Sequence, residues 1–224
     1  ADDGIRRQLE LEAGHADDTL VLFTSDNGMA FPFAKSTLYE AGVHMPLLAR
    51  GPGVHPGVNH ELVSNVDLLP TALELFDAAP RALDGVSLLP MLRGERGSVR
   101  EALVTMQTEN NREQGAPSRA LHEARFKYIR NFHTERATVS NVVGHTLTWE
   151  SGGELARRDE KIRERMTSFL YRAEDELFDL EVDPNELVNL ANDAAYAGEL
   201  KRMRAALREW MRANGDVLLA EWSE

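Results

Sequence analysis

This sequence of 224 residues predicts an α/β fold, with a mostly parallel sheet sandwiched by helices and then a small antiparallel-sheet subdomain with a long C-terminal helix. Three observations predict it. A charged stretch, Ile5–Glu12, reads as a helix stopped at Gly14 and leads straight into a continuous apolar run, Thr19–Thr24. That pattern suits a central strand of a parallel sheet, covered on both faces. After Leu83-Asp84-Gly85 the style changes to separated strands at Ala102–Met106, Phe126–Arg130 and Glu176–Leu180, which fit an antiparallel sheet better than further βαβ units. Near the end, Leu200, Met203, Leu207, Trp210 and Met211 form an amphipathic stripe on a helix over Ala194–Ala213, closed by Asn214-Gly215. Such a stripe docks on a sheet.

The remaining elements follow in order. Pro46–Arg50 reads as a second strand, stopped by Gly51-Pro52-Gly53. Val66–Phe76 reads as a helix with Asp67 as its N-cap and Pro70 in the first turn, where the missing N–H costs little. Residues 133–164 are polar, contain glycine and show no period, so a long excursion near a substrate is expected. The expected domains are 1–98, belonging to the main α/β domain, and 99–224, the α+β subdomain. No internal repeat or low-complexity tract interrupts them.

Composition narrows the function classes. Hydrophobic residues are 42% and charged residues 28% of the chain, ordinary for a globular protein. The formal net charge of −12 argues against a general binder of nucleic acid or of a membrane surface. It leaves room for an anionic substrate in a locally positive site. With no cysteine, disulfides and thiolate-bound metals are excluded for this chain. No apolar run has the roughly 18 to 20 residues of a membrane helix. The first residues read as a charged helix rather than a leader, so the expectation is a soluble chain that opens in mid-fold as part of a longer protein. The sequence gives no address that separates bacterial cytoplasm from periplasm.

Chemistry concentrates after the first strand. Asp26 and Asn27 lie just past its C-terminal end, the edge where open α/β sheets bind ligands. A carboxylate and an amide oxygen are hard ligands suited to Ca²⁺ or Mg²⁺. On the tripeptide Asp26-Asn27-Gly28 alone, an ordinary turn is the better reading. Lys35, eight residues after Asn27, could return to a metal site and neutralise an oxyanion as a point charge, although a lone lysine is usually only solvated surface. His44 could be a ligand or an acid/base group, and is as readily a loop histidine before Pro46.

The combination is more specific than any of its parts. Phe23-Thr24-Ser25-Asp26-Asn27-Gly28 is followed by Lys35-x-Thr37-Leu38-Tyr39-Glu40-x-Gly42-Val43-x-x-Pro46-Leu47. Then come Arg50-Gly51-Pro52-Gly53-Val54, Val66-Asp67-Leu68-Leu69-Pro70-Thr71 and Leu83-Asp84-Gly85-Val86-Ser87-Leu88-Leu89-Pro90. Near the end stand Glu176-Leu177-Phe178-Asp179-Leu180 and Asp183-Pro184-x-Glu186-x-x-Asn189-Leu190-Ala191. In this order they resemble the type I sulfatase family of the alkaline phosphatase superfamily, over about Thr19 to Trp210. Phe31-Pro32 and Tyr171-Arg172-Ala173 look like sulfamidase, the heparan N-sulfatase, within that family. Lys35 departs from that subgroup, which has arginine nearby.

The resemblance implies a sulfatase-type sandwich and the hydrolysis of a sulfate ester or sulfamate. Asp26 and Asn27 match the last two protein ligands of the family's Ca²⁺, and Lys35 matches a lysine that contacts the sulfate. His44 stands where many members have arginine, and is the second expected substrate contact. The later motifs match structural positions. The family nucleophile, a formylglycine made in a Cys/Ser-x-Pro-x-Arg motif, has no counterpart here, and neither do the N-terminal aspartates that complete the metal site. The chain is therefore expected to supply half of a Ca²⁺ site, to lack a catalytic nucleophile, and to need an N-terminal half as partner. Its expected substrate is a sulfated small molecule or glycan. By itself it is expected to self-associate along its first strand, or to hold its N-terminal region loosely while the C-terminal subdomain stays ordered. Two alternatives remain: a phosphate or phosphonate ester hydrolase of the same superfamily, against which Asn27 argues because those relatives typically carry histidine there, and a non-catalytic isolated domain.

Overall fold

The structure, a computed structural model, describes residues 15, 18–79, 81–108, 117–135, 137 and 141–222. The expected helix at Ile5–Glu12 lies outside them. In chain order the elements are β1 (Val21–Thr24), α1 (Glu40–Val43), β2 (Leu47–Arg50), α2 (Leu68–Leu75), α3 (Leu89–Leu92), β3 (Leu103–Gln107), β4 (Ser118–His122) and β5 (Phe126–Asn131). Then follow α4 (Asn141–Gly144), α5 (Leu147–Ala156), α6 (Glu160–Leu170), β6 (Asp175–Asp179) and α7 (Ala197–Ala213). They fall into two compact units: residues 1–26 with 46–101, and residues 27–45 with 102–224.

In the first unit β1 pairs with β2, from Val21 opposite Arg50 to Thr24 opposite Leu47. The pair is antiparallel, and no parallel pair occurs among the described strands, so the parallel pairing expected for β1 is not found there. All four residues of β1 are half-buried. An apolar run specifies a strand that wants burial. It does not specify the direction of its neighbour, which the connection decides.

Asp67 departs from the simple cap expected of it. It stands at the N-cap position of α2, yet its side chain makes no cap hydrogen bond to that helix. Its buried carboxylate instead accepts from the backbone N–H of Ser64 (2.7 Å) and of Val86 (2.9 Å) and from both terminal nitrogens of Arg100 (2.6 and 2.5 Å). Burial pushes the Asp67 carboxyl up, but Arg100 and the two backbone donors outweigh it and hold it below its usual range. Thr71 completes this hub, donating to the Asp67 carbonyl (2.6 Å) and accepting from Leu88 N–H (2.9 Å). Gly85 passes so close that a Cβ there would sit 2.1 Å from the Val66 carbonyl oxygen. The two motifs Val66–Thr71 and Leu83–Pro90 thus hold each other.

The second unit is built on an antiparallel sheet ordered β3-β4-β5-β6. β3, β5 and β6 stand where the sequence pattern places strands; β4, whose five residues are all buried, is an additional strand that the pattern does not mark. Alternation along the strands makes two different faces. Leu121, Tyr128 and Leu177 point to one, where they meet Met203, Leu207 and Met211 of α7, all fully buried. Ala120, Ile129 and Phe178 point to the other, where they meet Leu38 and Tyr39 of the segment 27–45.

The excursion 133–164 is helical in large part, contrary to the irregular reading. Thr146 caps α5 by accepting from Trp149 N–H (3.2 Å), and Asp159 caps α6 by accepting from Ile162 N–H (3.2 Å). Gly152 and Gly153, mid-helix in α5, hid the period; Gly152 lets Met166 of α6 approach to 3.1 Å from where a Cβ would stand. Among the described residues no helix is long and apolar enough to cross a membrane.

Candidate functional site

Asp26, two residues past the end of β1, is exposed; Asn27, the next residue, is half-buried and opens the segment 27–45. That segment forms a closed strap. Its ends are joined by a hydrogen bond from Gly28 N–H to the Gly42 carbonyl (3.1 Å). Only glycine fits at 28, because a Cβ would lie 2.0 Å from the Ala41 carbonyl oxygen. The Asn-Gly that reads as turn chemistry is therefore a close-approach requirement.

Inside the strap the backbone turns twice. Lys35 N–H and Phe31 N–H both donate to the Met29 carbonyl (3.1 and 2.7 Å), and Thr37 uses both its N–H (3.1 Å) and its hydroxyl (2.7 Å) on the Ala34 carbonyl. Phe33 and Ser36 adopt left-handed conformations, φ 63° and 65°, on either side of Lys35. Such residues cost about 1 to 3 kcal/mol each and persist only where the surroundings enforce them. Here the enforcement is visible. The Phe33 ring packs against Phe169 (centroids 4.9 Å apart) and Tyr39 (5.3 Å), with the Arg165 guanidinium 3.6 Å from its centroid.

At the C-terminal end of the strap lies a charged cluster. His44 is exposed, and its Nδ1 is 2.9 Å from Glu40 Oε2. Glu40 Oε1 accepts from the fully buried ammonium of Lys127 (2.9 Å) and lies 3.6 Å from His122 Nδ1. Glu186, also buried, has Oε1 2.8 Å from Lys127 Nζ, an ion-pair contact off the hydrogen-bond line, and Oε2 accepting the Glu40 backbone N–H (2.5 Å). Burial pushes the Glu40 carboxyl up, but His122, His44 and Lys127 together pull it far down, so it is ionised. Contact with Glu40 raises the His44 pKa. Burial lowers that of His122. Deeper in, Tyr39 donates to Glu176 (2.8 Å), which Asn131 also reaches (2.9 Å), and burial raises the Glu176 carboxyl.

Of the predicted site residues, the structure places Asn27, Lys35 and His44 on one strap and Asp26 immediately before it. The donor types of Asp26 and Asn27 fit a hard divalent cation. They do not complete its shell of six to eight oxygens, and among the described residues no group of three or more His, Cys, Asp or Glu could hold a metal ion. Sequence reasoning missed Lys127 and Arg165. Neither carries a motif, and each acts from an element more than 80 residues away. Glu186 does carry a signal, as part of Asp183-Pro184-x-Glu186.

The chain belongs to the sulfatase family. Residues 1–78 match the family model described as Sulfatase. Over 209 residues the chain is 31% identical to an ulvan-active sulfatase of Formosa agariphila, covering 90% of this chain and 39% of that protein. It is 31% identical over 220 residues to human N-sulphoglucosamine sulphohydrolase, covering 89% and 42%. The fold matches the solved structure of a 2-O GAG sulfatase with TM-score 0.70 at 23% identity, covering 99% of this chain and 42% of that one. The chain thus spans about two fifths of the length of the curated relatives it matches.

Proposed function

We propose that the chain is the C-terminal portion of a hydrolase of sulfate esters or sulfamates. The observation that carries this is the order along the chain of Asp26-Asn27, just past β1, and Lys35 on the strap that follows, inside the stretch matched by the sulfatase family model. Asp26 and Asn27 would hold part of a Ca²⁺ site, whose ion when bound supplies positive charge to the sulfate oxygens. Lys35 adds a second positive charge on a backbone that does not have to reorganise, which is the condition under which such charges lower a barrier most. His44, whose pKa Glu40 raises, would contact the rest of the substrate as a hydrogen-bonding group. The substrate class is a sulfated carbohydrate, as the names of both relatives suggest. The nucleophile and the remaining metal ligands would come from a preceding N-terminal portion, because no Cys/Ser-x-Pro-x-Arg motif occurs in these 224 residues.

The test begins with the coding sequence upstream of Ala1, where that motif is expected. The full-length product is then assayed on sulfated and N-sulfated glucosamine, with and without a chelator of Ca²⁺. Chelator-sensitive release of sulfate, lost in Lys35→Ala, is the expected outcome. A full-length product without the motif, or turnover indifferent to both Lys35 and chelator, overturns the reading.

A further inference from the structure

We propose that Glu186 is a positioning residue for Lys35: it reaches across 146 residues to clamp the strap from below, with Arg165 as the second jaw. Three of the non-glycine residues with left-handed backbone, Phe33, Ser36 and Glu186 itself (φ 53°), lie in this one device. Two of them flank Lys35. The third presents the carboxylate that receives the strap's Glu40 N–H at 2.5 Å.

The C-terminal motif is shaped for this presentation. Asp183 accepts from the N–H groups of Leu187 (2.7 Å) and Val188 (2.8 Å), closing the loop in which Glu186 sits. Asn189 ties that loop to β6, accepting from Leu177 N–H (3.0 Å) and donating to the Asp175 carbonyl (3.0 Å). The motif that looks purely architectural in sequence thus delivers one buried carboxylate to the far face of the sheet. There Lys127, fully buried, needs both Glu40 and Glu186, since a buried ammonium with one partner removed is poorly compensated. Arg165 joins the two ends of the clamp. Its guanidinium covers the Phe33 ring at 3.6 Å, and its NH1 donates to the Glu186 carbonyl (3.1 Å). A strained turn enforced from both sides holds Lys35 in one place without touching its side chain.

The experiment uses the full 224-residue chain carrying Glu186→Gln or Arg165→Gln, followed by amide hydrogen exchange resolved by peptide. Each variant is expected to speed exchange across residues 33–42 at least tenfold, while β4, β5 and α7 keep wild-type protection. Acylation of the Lys35 amine, read by mass spectrometry, is expected to rise several-fold in parallel. Unchanged strap protection in both variants overturns the proposal, and so does loosening spread evenly over the whole unit. Should Glu186→Gln fail to fold, Arg165→Gln, on the half-buried side of the clamp, decides alone by the same criteria. A second arm rests on the sulfatase reading. In the full-length enzyme, Glu186→Gln is expected to lower kcat with little change in KM, and to have no further effect once Lys35→Ala is present. Independent, multiplying effects would show that Glu186 acts elsewhere. A full-length enzyme with no sulfatase turnover sinks the functional reading and leaves the exchange result to judge the clamp.

Discussion

The two faces of the antiparallel sheet mix apolar packing and buried charge in different proportions. On the α7 face apolar contacts predominate: Met203, Leu207 and Met211 of the helix meet Leu121, Tyr128 and Leu177 of the strands, closed by Phe132 and Trp222, with the pairs Arg119–Asp216, Arg130–Asp175 and Arg204–Asp175 beside them. On the strap face a smaller apolar patch, Leu38, Tyr39, Ala120, Ile129 and Phe178, shares the space with buried Lys127, Glu176 and Glu186. Apolar packing is non-directional and contributes through area removed from water. Buried ion pairs gain little net stability, because desolvation offsets attraction, but they are directional and tolerate few alternatives. The difference teaches where each requirement of the protein is met. The α7 face supplies stability, and the strap face fixes the position of a short segment that carries Lys35.

Four outcomes break or sharpen that contrast. Lys127→Met should cost the most, about 3 to 5 kcal/mol, because it leaves the buried Glu186 carboxylate beside the half-buried Glu40 carboxylate without their shared cation; chemical denaturation measures it. Exchange in residues 28–44 should rise beyond what the global loss explains. Leu207→Ala should cost about 2 to 5 kcal/mol through lost burial and a residual cavity. Its effect should spread over the unit, and a selective loosening of the strap would erase the distinction between the faces. Lys35→Ala should leave the denaturation midpoint of the chain within error. In the full-length enzyme it should reduce turnover by about 10² to 10³, the usual loss for one preorganised charge partner. Wild-type turnover in that variant would return Lys35 to the solvated surface.

The smallest effect is a pH dependence of opposite sign at two histidines. Burial lowers the folded pKa of His122, so below about pH 6.5 the unfolded chain binds a proton that the native state refuses, and stability falls on acidification. His44 is raised by Glu40, so its contribution is present below about pH 6.5 and is lost as pH rises through its folded pKa. Urea midpoints of His122→Gln and His44→Gln against wild type, between about pH 5 and 8, should show the two slopes separately. Matching slopes would mean that Glu40 does not discriminate between the two rings.

Much of the fold was legible, for identifiable reasons. β3, β5, β6 and α7 announce themselves through residues whose period matches their element, and Gly215 ends the helix region with the left-handed φ of 64° that glycine favours. β4 was not legible, because Ser118-Arg119 and His122 read as polar. The structure buries all three, with Arg119 paired to Asp216 at 2.5 Å and His122 bonded to Thr105 at 2.7 Å. A polar side chain whose partner is distant in sequence cannot be told from an exposed one by pattern alone. The same limit applies to the site: Asp26, Asn27, Lys35 and His44 could be named because they cluster along the chain, and Lys127 and Arg165 could not.

What the sequence determined by itself is therefore local: the strands and helices whose residues show a clear period, where turns demand glycine, and the order of motifs that resembles the sulfatases. Tertiary structure alone decided that β1 and β2 run antiparallel, that Asp67 is a buried hub as well as a partner in the capping box with Ser64, and that the strap belongs to the subdomain sheet. The physical reason is common to all three. Local conformation depends on side-chain sterics and hydrogen bonds between near neighbours. The partner of a buried charge, the direction of an adjacent strand and the surface on which a segment lands depend on groups brought together only when the chain closes on itself.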